Sequence, residues 1–155
     1  MTHGTLTFRP ARKDDHEFLR TLHHRAYRDV VQRQFGAWNE AEQDRWFERG
    51  LADGVYQIVE EDGRAVGAID VRVERDELLL YEMQVAPEHQ NRGIGSAILQ
   101  AQFARARAHG QSIRLNVLKQ NRARALYERN GFRTVSETDI HFTMRLPAPG
   151  EPSAG

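Results

Sequence analysis

The most informative part of this sequence is the run Gln90-Asn91-Arg92-Gly93-Ile94-Gly95-Ser96. It lies between a nearly continuous apolar stretch at 78–85 and a helix-like stretch at 94–108. Two glycines one residue apart let the backbone bend sharply and approach a ligand closely. The helix that follows directs its first N–H groups and the positive end of its dipole toward the bend. This context predicts a compact pocket for a pyrophosphate, whereas a bare Gly-x-Gly would indicate an ordinary strand-to-helix turn.

The overall composition indicates a single globular domain. The chain has 155 residues, 39% of them apolar and 28% charged, and 22 basic side chains balance 22 acidic ones. Because the formal net charge is zero, we expect no broad polyanion-binding face and no nucleic acid partner. The lack of cysteine excludes disulfides, thiolate catalysis and Cys-ligated zinc. No apolar run reaches the ~20 residues of a membrane span, and residues 1–9 lack a signal-peptide core. We therefore expect a cytoplasmic protein that does not bind membranes.

Hydrophobic periodicity and turn signals predict an α/β sandwich around a mixed, mostly antiparallel sheet. The predicted order of elements is β-α-α-β-β-β-α-β-α-β-β, with the strand at 78–85 in a central position. Strands are expected at 5–9, 55–60, 65–73, 78–85, 113–117, 132–135 and 140–146, and helices at 15–26, 39–51, 94–108 and 121–129. The segment 28–36 has only weak periodicity. We expect one domain over 1–146 and a disordered Pro/Gly/Ser-rich tail over 147–155.

With these elements in place, the sequence resembles the GNAT superfamily of acetyl-CoA-dependent N-acetyltransferases. The family's loop pattern, Q/R-x-x-G-x-G/A, matches residues 90–95 in full. A second match is Asn121, followed by Leu-Tyr-Glu at 126–128 and Gly-Phe at 131–132, which resembles the family's N…LY…GF signature. The resemblance extends over residues 6–146, and the loop and the signature in this order are much more specific than the loop alone.

The resemblance implies a binding site for acetyl-CoA as co-substrate. Backbone amides at Met83, Gln84 and Val85 are implied to bind the pantetheine arm, and one of them to stabilise the oxyanion formed from the acetyl carbonyl. The loop is implied to bind the pyrophosphate through Gln90, Asn91, Arg92, Gly93, Ile94, Gly95 and Ser96. Asn121 bonds the cofactor arm in many members, and Tyr127 is implied to protonate the departing thiolate.

The chemistry of acetyl transfer supports a tyrosine acid and requires a base. A thiol with a pKa of about 8.5 leaves readily, and a tyrosine with a pKa of about 10 can donate a proton to it. An alkylamine is mostly protonated at neutral pH, so a base must remove one proton before attack. Glu82 is the candidate base, because it precedes the amide-donating stretch and its side chain should point away from that of Met83.

Structural alternatives remain open for the candidate catalytic residues. Glu82 could be a charge at a strand end paired with an arginine. Tyr127 could be a core residue packed on Phe132. Asn121 could be a helix N-cap, alone or in addition to a cofactor contact. His141, between apolar neighbours on the last strand, fits either the acceptor pocket or the surface.

Two tryptophans fall in the region that covers the acceptor side in the family. Trp38 follows a Gly-Ala pair and is the candidate substrate contact, whereas Trp46 is expected to anchor the second helix to the sheet. Arg92 and Arg122 are close enough to the loop to meet the nucleotide phosphates. No metal-ligand spacing is present, so no metal is expected.

The leading functional hypothesis is transfer of acetyl from acetyl-CoA to a primary amine by direct attack in a ternary complex. The acceptor is a small molecule or a protein amine, since zero net charge argues against an aminoacyl-tRNA. The alternative hypothesis is a non-catalytic CoA-binding sensor or regulatory module, against which the presence of Tyr127 argues. A homodimer is left open, and so is the identity of the amine.

Overall fold

The computed structural model describes residues 3–152, and the elements follow the predicted order. The strands in this part of the chain are β1 (Leu6–Pro10), β2 (Tyr56–Glu61), β3 (Arg64–Glu74), β4 (Glu77–Val85), β5 (Ser112–Leu118), β6 (Arg133–Glu137) and β7 (His141–Leu146). The helices are α1 (His16–Phe35), α2 (Glu40–Ala52), α3 (Ile94–Ala108) and α4 (Ala123–Arg129). Short 3-10 turns at Lys13–Asp15 and Pro87–His89 precede α1 and the glycine loop.

The described strands form one seven-stranded sheet in the order β1-β2-β3-β4-β5-β7-β6. Every neighbouring pair is antiparallel except β4 and β5, which run parallel. The mixed α/β fold and the central position of β4 are therefore confirmed. The parallel pair is joined through α3, as a crossover between parallel strands requires.

Helix α1 is longer than its sequence pattern indicated. It continues through the weakly periodic segment to Phe35, and Gly36 then ends it in the left-handed conformation, with φ of 80°. The buried stripe that begins at Leu19 and Leu22 continues at Val30 and Val31. Polar residues between these positions dilute the pattern, but the helical spacing is preserved. The extension places the second half of α1 beside β4.

The two faces of the sheet carry separate apolar clusters. Helices α1 and α2 pack on one face through Leu19, Leu22 and Phe47, against Ile58 and other small or branched side chains. On the other face α3 supplies the larger cluster, together with residues of β3, β4, β5, α4 and β7. The loop between β4 and α3 is thus held at one end of a buried strand and a buried helix.

The prediction that Trp46 anchors α2 to the sheet is wrong. Phe47 fills that place with 2% of its surface exposed, whereas half of the Trp46 surface remains exposed. Neighbouring residues on a helix point about 100° apart, so only one of the two aromatic rings can face the sheet.

Part of the C-terminal tail is described. The Arg145 guanidinium pairs with Glu151, whose carboxylate also accepts a hydrogen bond of 3.2 Å from the Ala148 amide. Residues 153–155 of the tail lie outside the described residues, and its disorder stays a prediction, as does the single-domain boundary at 146. Within residues 3–152, no helix combines the length and the apolar character that a bilayer span requires.

Candidate active site

The central feature of the site is a gap between β4 and β5. The two strands pair only from Glu77 to Leu80 on β4, against Ser112 to Leu115 on β5. Beyond this point β4 remains paired with β3, while β5 remains paired with β7. The last residues of β4 therefore have one edge free of a strand partner.

A bulge in β4 sets the directions of the side chains at this gap. Asp70 of β3 pairs with Glu82 and the next residue, Val71, pairs with Leu80, so Tyr81 is an extra residue in β4. In a regular strand Leu80 and Glu82, two positions apart, would lie on the same face. Instead Leu80 packs in the α3 cluster, while Glu82 points toward α1 and away from Met83. The predicted orientation of Glu82 relative to Met83 is confirmed.

Backbone amides of β4 face the gap at alternate positions. The amide of Ala86 donates a 2.8 Å hydrogen bond to the carbonyl of Val66 in β3. Because the amides of a strand alternate between its two edges, the Gln84 amide also faces β3. The amides of Met83 and Val85 then point into the gap. The Val85 carbonyl supports this assignment, because it accepts a 2.9 Å hydrogen bond from the Gln90 side chain on the gap side. Of the three amides expected to bind the pantetheine arm, that of Gln84 is directed elsewhere.

The glycine loop turns into α3 through two left-handed residues. Asn91 has φ of 63° and Gly93 has φ of 80°, and α3 begins at the next residue. Asparagine and glycine are the residues that adopt this conformation most readily. Gly95 lies within the helix, and a Cβ there would come 3.1 Å from Leu126 of α4. Small residues at these positions leave the helix N-terminus open to a ligand.

The loop borders a first cavity of about 610 Å³ between α1, the end of β4 and α4. Most of the residues predicted from the sequence to bind the cofactor line this cavity: Met83, Gln84, Val85, Gln90, Asn91, Gly93, Ile94, Gly95, Ser96 and Asn121. Its remaining lining includes four arginines, Arg25, Arg33, Arg122 and Arg129. This combination of helix N-terminal amides and guanidinium groups is suited to a phosphorylated ligand.

The side chain of Arg92 is the exception among the loop residues. It forms a bidentate pair with Glu61 at 3.0 and 2.8 Å and does not line the first cavity. The expectation that this side chain meets the nucleotide phosphates is therefore not supported, although Arg122 does reach the cavity. The pair instead ties the loop to β2.

A second cavity of about 270 Å³ lies between α1, α2 and the diverging ends of β4 and β5. Tyr27, Met83 and Asn121 line both cavities, so these residues form the boundary between them. Glu82, Tyr127 and His141 line the second cavity. The structure therefore brings the predicted base, the predicted acid and the predicted acceptor-site histidine into one space.

Glu82 is partly buried and accepts a hydrogen bond from the hydroxyl group of Tyr27. Burial is the main cause that raises the pKa of Glu82 to about 7, with a smaller contribution from nearby Asp70, while the Tyr27 hydrogen bond acts in the opposite direction. The alternative that Glu82 pairs with an arginine is not what the structure shows. A carboxyl group with a pKa near neutrality has the properties of a general base.

Tyr127 is both a core residue packed on Phe132 and a residue of the candidate active site, the two alternatives that the sequence left open. Its ring packs edge-on against Phe132, with centroids 5.8 Å apart, and 7% of its surface is exposed. It also lines the second cavity. Burial, and secondarily the negative charge of Glu82, raise its pKa above the ordinary value of a tyrosine. Tyr127 therefore stays protonated and is available as a donor.

Asn121 caps the last helix from just outside it. Its side-chain oxygen accepts a 2.9 Å hydrogen bond from the Ala123 amide, and the residue borders both cavities. Asn121 was predicted to be the N-cap of this helix, but α4 begins at Ala123 with Arg122 as its N-cap residue, one residue later. His141 begins β7, and burial lowers its pKa, which favours the neutral imidazole.

Trp38 lies against His24, with ring centroids 5.3 Å apart, and does not line either cavity in the described part of the chain. Trp46 lines the second cavity in its place. The structure also adds Tyr27 and His23 of α1 to this cavity. Both follow Leu19 at helical spacing, and His23 lay within the predicted helix, whereas Tyr27 lay just beyond its predicted end at residue 26.

The chain belongs to the GNAT acetyltransferase family, since residues 52–134 match the family model of the acetyltransferase (GNAT) domain. The fold resembles the PaiA N-acetyltransferase from Thermoplasma acidophilum in complex with coenzyme A, with a TM-score of 0.72, 18% identity, and coverage of 91% of this chain and 98% of that one. It also resembles the ribosomal-protein-S18-alanine N-acetyltransferase from Escherichia coli, with a TM-score of 0.68, 22% identity and 97% coverage of both chains. A GNAT family acetyltransferase from Brucella melitensis in complex with acetyl-CoA gives a TM-score of 0.61 at 23% identity, covering 98% of this chain and 93% of that one. No curated protein sequence matches this chain significantly.

Proposed function

We propose that this protein transfers the acetyl group of acetyl-CoA to the nitrogen of a primary amine by direct attack in a ternary complex. The observation that carries the proposal is the meeting of two cavities at Tyr27, Met83 and Asn121, beside an unpaired strand edge. One cavity has the lining of a phosphate site and the other contains a carboxyl group and a buried tyrosine. The coenzyme A and acetyl-CoA complexes among the structural neighbours support the same assignment.

The first cavity fits acetyl-CoA in its local chemistry. The amides at the start of α3 and the side chains of Arg122 and Arg129 would hold the phosphates. The amides of Met83 and Val85 would hold the pantetheine arm, and one of them would polarise the acetyl carbonyl. Asn121, with its oxygen already engaged by the helix, would offer its NH₂ group to the arm.

Glu82 would accept the proton that the ammonium form of the acceptor must lose. Its pKa of about 7 leaves a substantial fraction ionised at neutral pH. Tyr27 keeps the ionised form accessible by donating a hydrogen bond to it. His141, on the same cavity, is the second candidate for proton relay.

Tyr127 would supply the proton for the leaving group. In the overall reaction the amine nitrogen forms a bond to the acetyl carbon, the carbon–sulfur bond breaks, and the sulfur leaves as the thiol after gaining a proton. Because the chain has no cysteine, an acyl-cysteine route is excluded. The amine would therefore attack acetyl-CoA directly, with both substrates and Tyr127 in one ternary complex.

The competing function is a CoA-binding sensor without chemistry. A base with a pKa near neutrality and a protonated tyrosine in one cavity argue against it, since neither is needed for cofactor binding. A protein amine also remains a candidate acceptor, because one structural neighbour acts on an alanine of a ribosomal protein. A cytoplasmic location and a homodimeric state stay predictions from the sequence.

The deciding experiment measures the release of free CoA from acetyl-CoA in the presence of a panel of small amines and peptides. We expect amine-dependent release together with an acetamide product of matching mass. Tight binding of acetyl-CoA without release by any acceptor would identify a sensor. Release without amine dependence would indicate a hydrolase.

A further inference from the structure

The lining of the second cavity contains very few charged side chains. Among the described residues that form it, Glu82 is the one carboxyl group, and neither lysine nor arginine is present. Four arginines, Arg25, Arg33, Arg122 and Arg129, border the first cavity instead. Arg75 and Arg114, with Glu74 and Glu77, line a neighbouring cavity that meets this one at Leu80, Tyr81, Leu115 and Asn116. Burial lowers the pKa values of both His23 and His141, which disfavours their cationic forms. An acceptor here meets one carboxyl group and no lysine or arginine.

The polar side chains of this cavity include one carboxylate acceptor, Glu82, beside the donor hydroxyl groups of Tyr27 and Tyr127. Glu82 offers its carboxylate oxygens. His23 is 8% exposed and contacts the Gln43 side-chain oxygen through Nε2 at 3.2 Å, so this nitrogen carries the proton. The His23 Nδ1 atom is then an acceptor, and it is buried without a hydrogen-bond partner in residues 3–152. Of these groups, the Glu82 carboxylate is the one that favours a charged donor such as an ammonium group.

The mouth of the cavity is apolar and largely aromatic. Phe35, Trp46, Tyr81 and Ile140 all line it, and between 40% and 51% of the surface of each is exposed. Exposed large hydrophobic side chains elsewhere in the described chain are restricted to Val73 and Val135. A cluster of this kind around a concavity marks a binding site rather than ordinary surface. Arg72 stacks on Tyr81, 4.3 Å from the ring centroid, but its charge is matched by Asp53 and Asp70.

We propose that the acceptor is a small primary amine with a single positive charge and an apolar, preferably aromatic, body. This inference rests on the proposed acetyltransferase function. The ammonium group lies near Glu82, while the body of the amine packs against the aromatic mouth. Within this cavity, a carboxylate or phosphate on the acceptor finds no lysine or arginine, and a second ammonium group finds no second carboxylate.

Matched pairs of acceptors test the proposal. Phenylethylamine and phenylalanine share a ring and differ by one carboxylate, and hexylamine and 1,6-diaminohexane differ by one ammonium group. We expect kcat/KM to be at least ~10-fold higher for the first member of each pair, since an unpaired charge in a desolvated site is disfavoured. A hexapeptide with a free N-terminus serves as the macromolecular comparison.

Variants at the mouth provide a second readout. Trp46→Ala should raise KM for phenylethylamine by ~10-fold while the Kd for acetyl-CoA is unchanged, and Trp46→Phe should restore most of the loss. Val135→Ala is the matched control, because this exposed residue of β6 does not line the cavity. Equal KM values for Trp46→Ala and Val135→Ala would overturn the proposal.

The outcomes separate this inference from the proposed function. Preference for phenylalanine, for the diamine or for the peptide would overturn the acceptor class but leave the acetyltransferase assignment intact. Absence of CoA release with every acceptor, in a protein that binds acetyl-CoA, would overturn the proposed function and this inference with it.

Discussion

Glu82 occupies an environment that opposes its ionisation, and this makes the stability of the fold and the activity of the site depend on pH in opposite directions. Its pKa of about 7 in the folded protein exceeds the ordinary value of 4.5. The protonated form therefore stabilises the fold, and this contribution is complete below about pH 4.5 and is lost as pH rises through about 7. A general base must be ionised, so activity should increase over the same range in which this stabilisation is lost.

The first prediction concerns Glu82→Gln. Glutamine keeps the shape but cannot accept the amine's proton, so turnover should fall ~100-fold or more and the acidic limb of the pH profile near pH 7 should disappear. The measurement is turnover against pH with one acceptor. His141→Ala is the comparison, and a Glu82→Gln profile that superimposes on wild type would remove Glu82 from the mechanism.

Tyr27 offers a separate test of the same carboxyl group. Its hydrogen bond lowers the pKa of Glu82, so Tyr27→Phe should move the acidic limb to higher pH. A hydrogen bond to a charged group contributes about 1.5 kcal/mol or more, which corresponds to about one pH unit. A limb that stays in place while KM alone changes would show that Tyr27 only packs against the cavity.

Tyr127→Phe should reduce turnover ~100-fold and leave acetyl-CoA affinity nearly unchanged. The ring that packs on Phe132 is kept, and only the hydroxyl donor is removed. Turnover with the best acceptor and calorimetric titration of acetyl-CoA measure the two quantities. Unaltered turnover would mean that the thiolate leaves without this acid.

At the scale of elements, the site depends on where β4 loses its second partner and where α3 begins. The bulge at Tyr81 and the end of pairing at Leu80 are adjacent. The loop with its left-handed residues then connects the free edge of β4 to the N-terminus of α3. Amides of a strand and of a helix therefore converge on one ligand-sized space.

Gly93→Val should weaken acetyl-CoA binding by more than ~10-fold, because the side chain requires a disfavoured φ and fills space at the helix N-terminus. Gly110→Val is the matched control, since Gly110 also has a positive φ of 66° and lies just beyond the other end of α3. Both valine variants should lose about 1–2 kcal/mol of stability. Calorimetric titration should show lost affinity in Gly93→Val alone, and equal affinities would contradict the pyrophosphate-loop assignment.

On the scale of the whole molecule, the acceptor cavity is formed by the packing of α1 and α2 on one face of the sheet. Phe47 is the largest fully buried side chain of that layer. The layer positions Tyr27 and Trp46, which reach the cavity from two different helices. Stability of this layer and integrity of the site are therefore linked.

Phe47→Ala should lower the free energy of unfolding by about 3–5 kcal/mol, as expected for a buried phenylalanine replaced by alanine. Phe35→Ala, at a position with 48% of its surface exposed, should change it by no more than about 0.5 kcal/mol. Urea denaturation measures both. Similar losses in the two variants would contradict the packing of α2 described above.

Local patterns in the sequence were sufficient for much of this fold. The order of elements, the central strand at 78–85 and the loop at 90–96 follow from periodicity and turn residues, which act over short distances along the chain. The Asn121, Tyr127 and Phe132 signature identified the family, which the family model confirms. The extent of α1 was missed because polar residues dilute its buried stripe.

The partners of the site residues came only from the three-dimensional packing. Tyr27 donates to Glu82 across 55 positions of the chain, and Arg92 pairs with Glu61 across 31. The extra residue at Tyr81, which turns Glu82 toward α1, depends on the register with β3. Periodicity describes which face of an element is apolar, but contacts between distant segments depend on how those faces are assembled. The choice of Trp46 over Trp38 at the acceptor cavity has the same origin, because it depends on how α2 rests on the sheet.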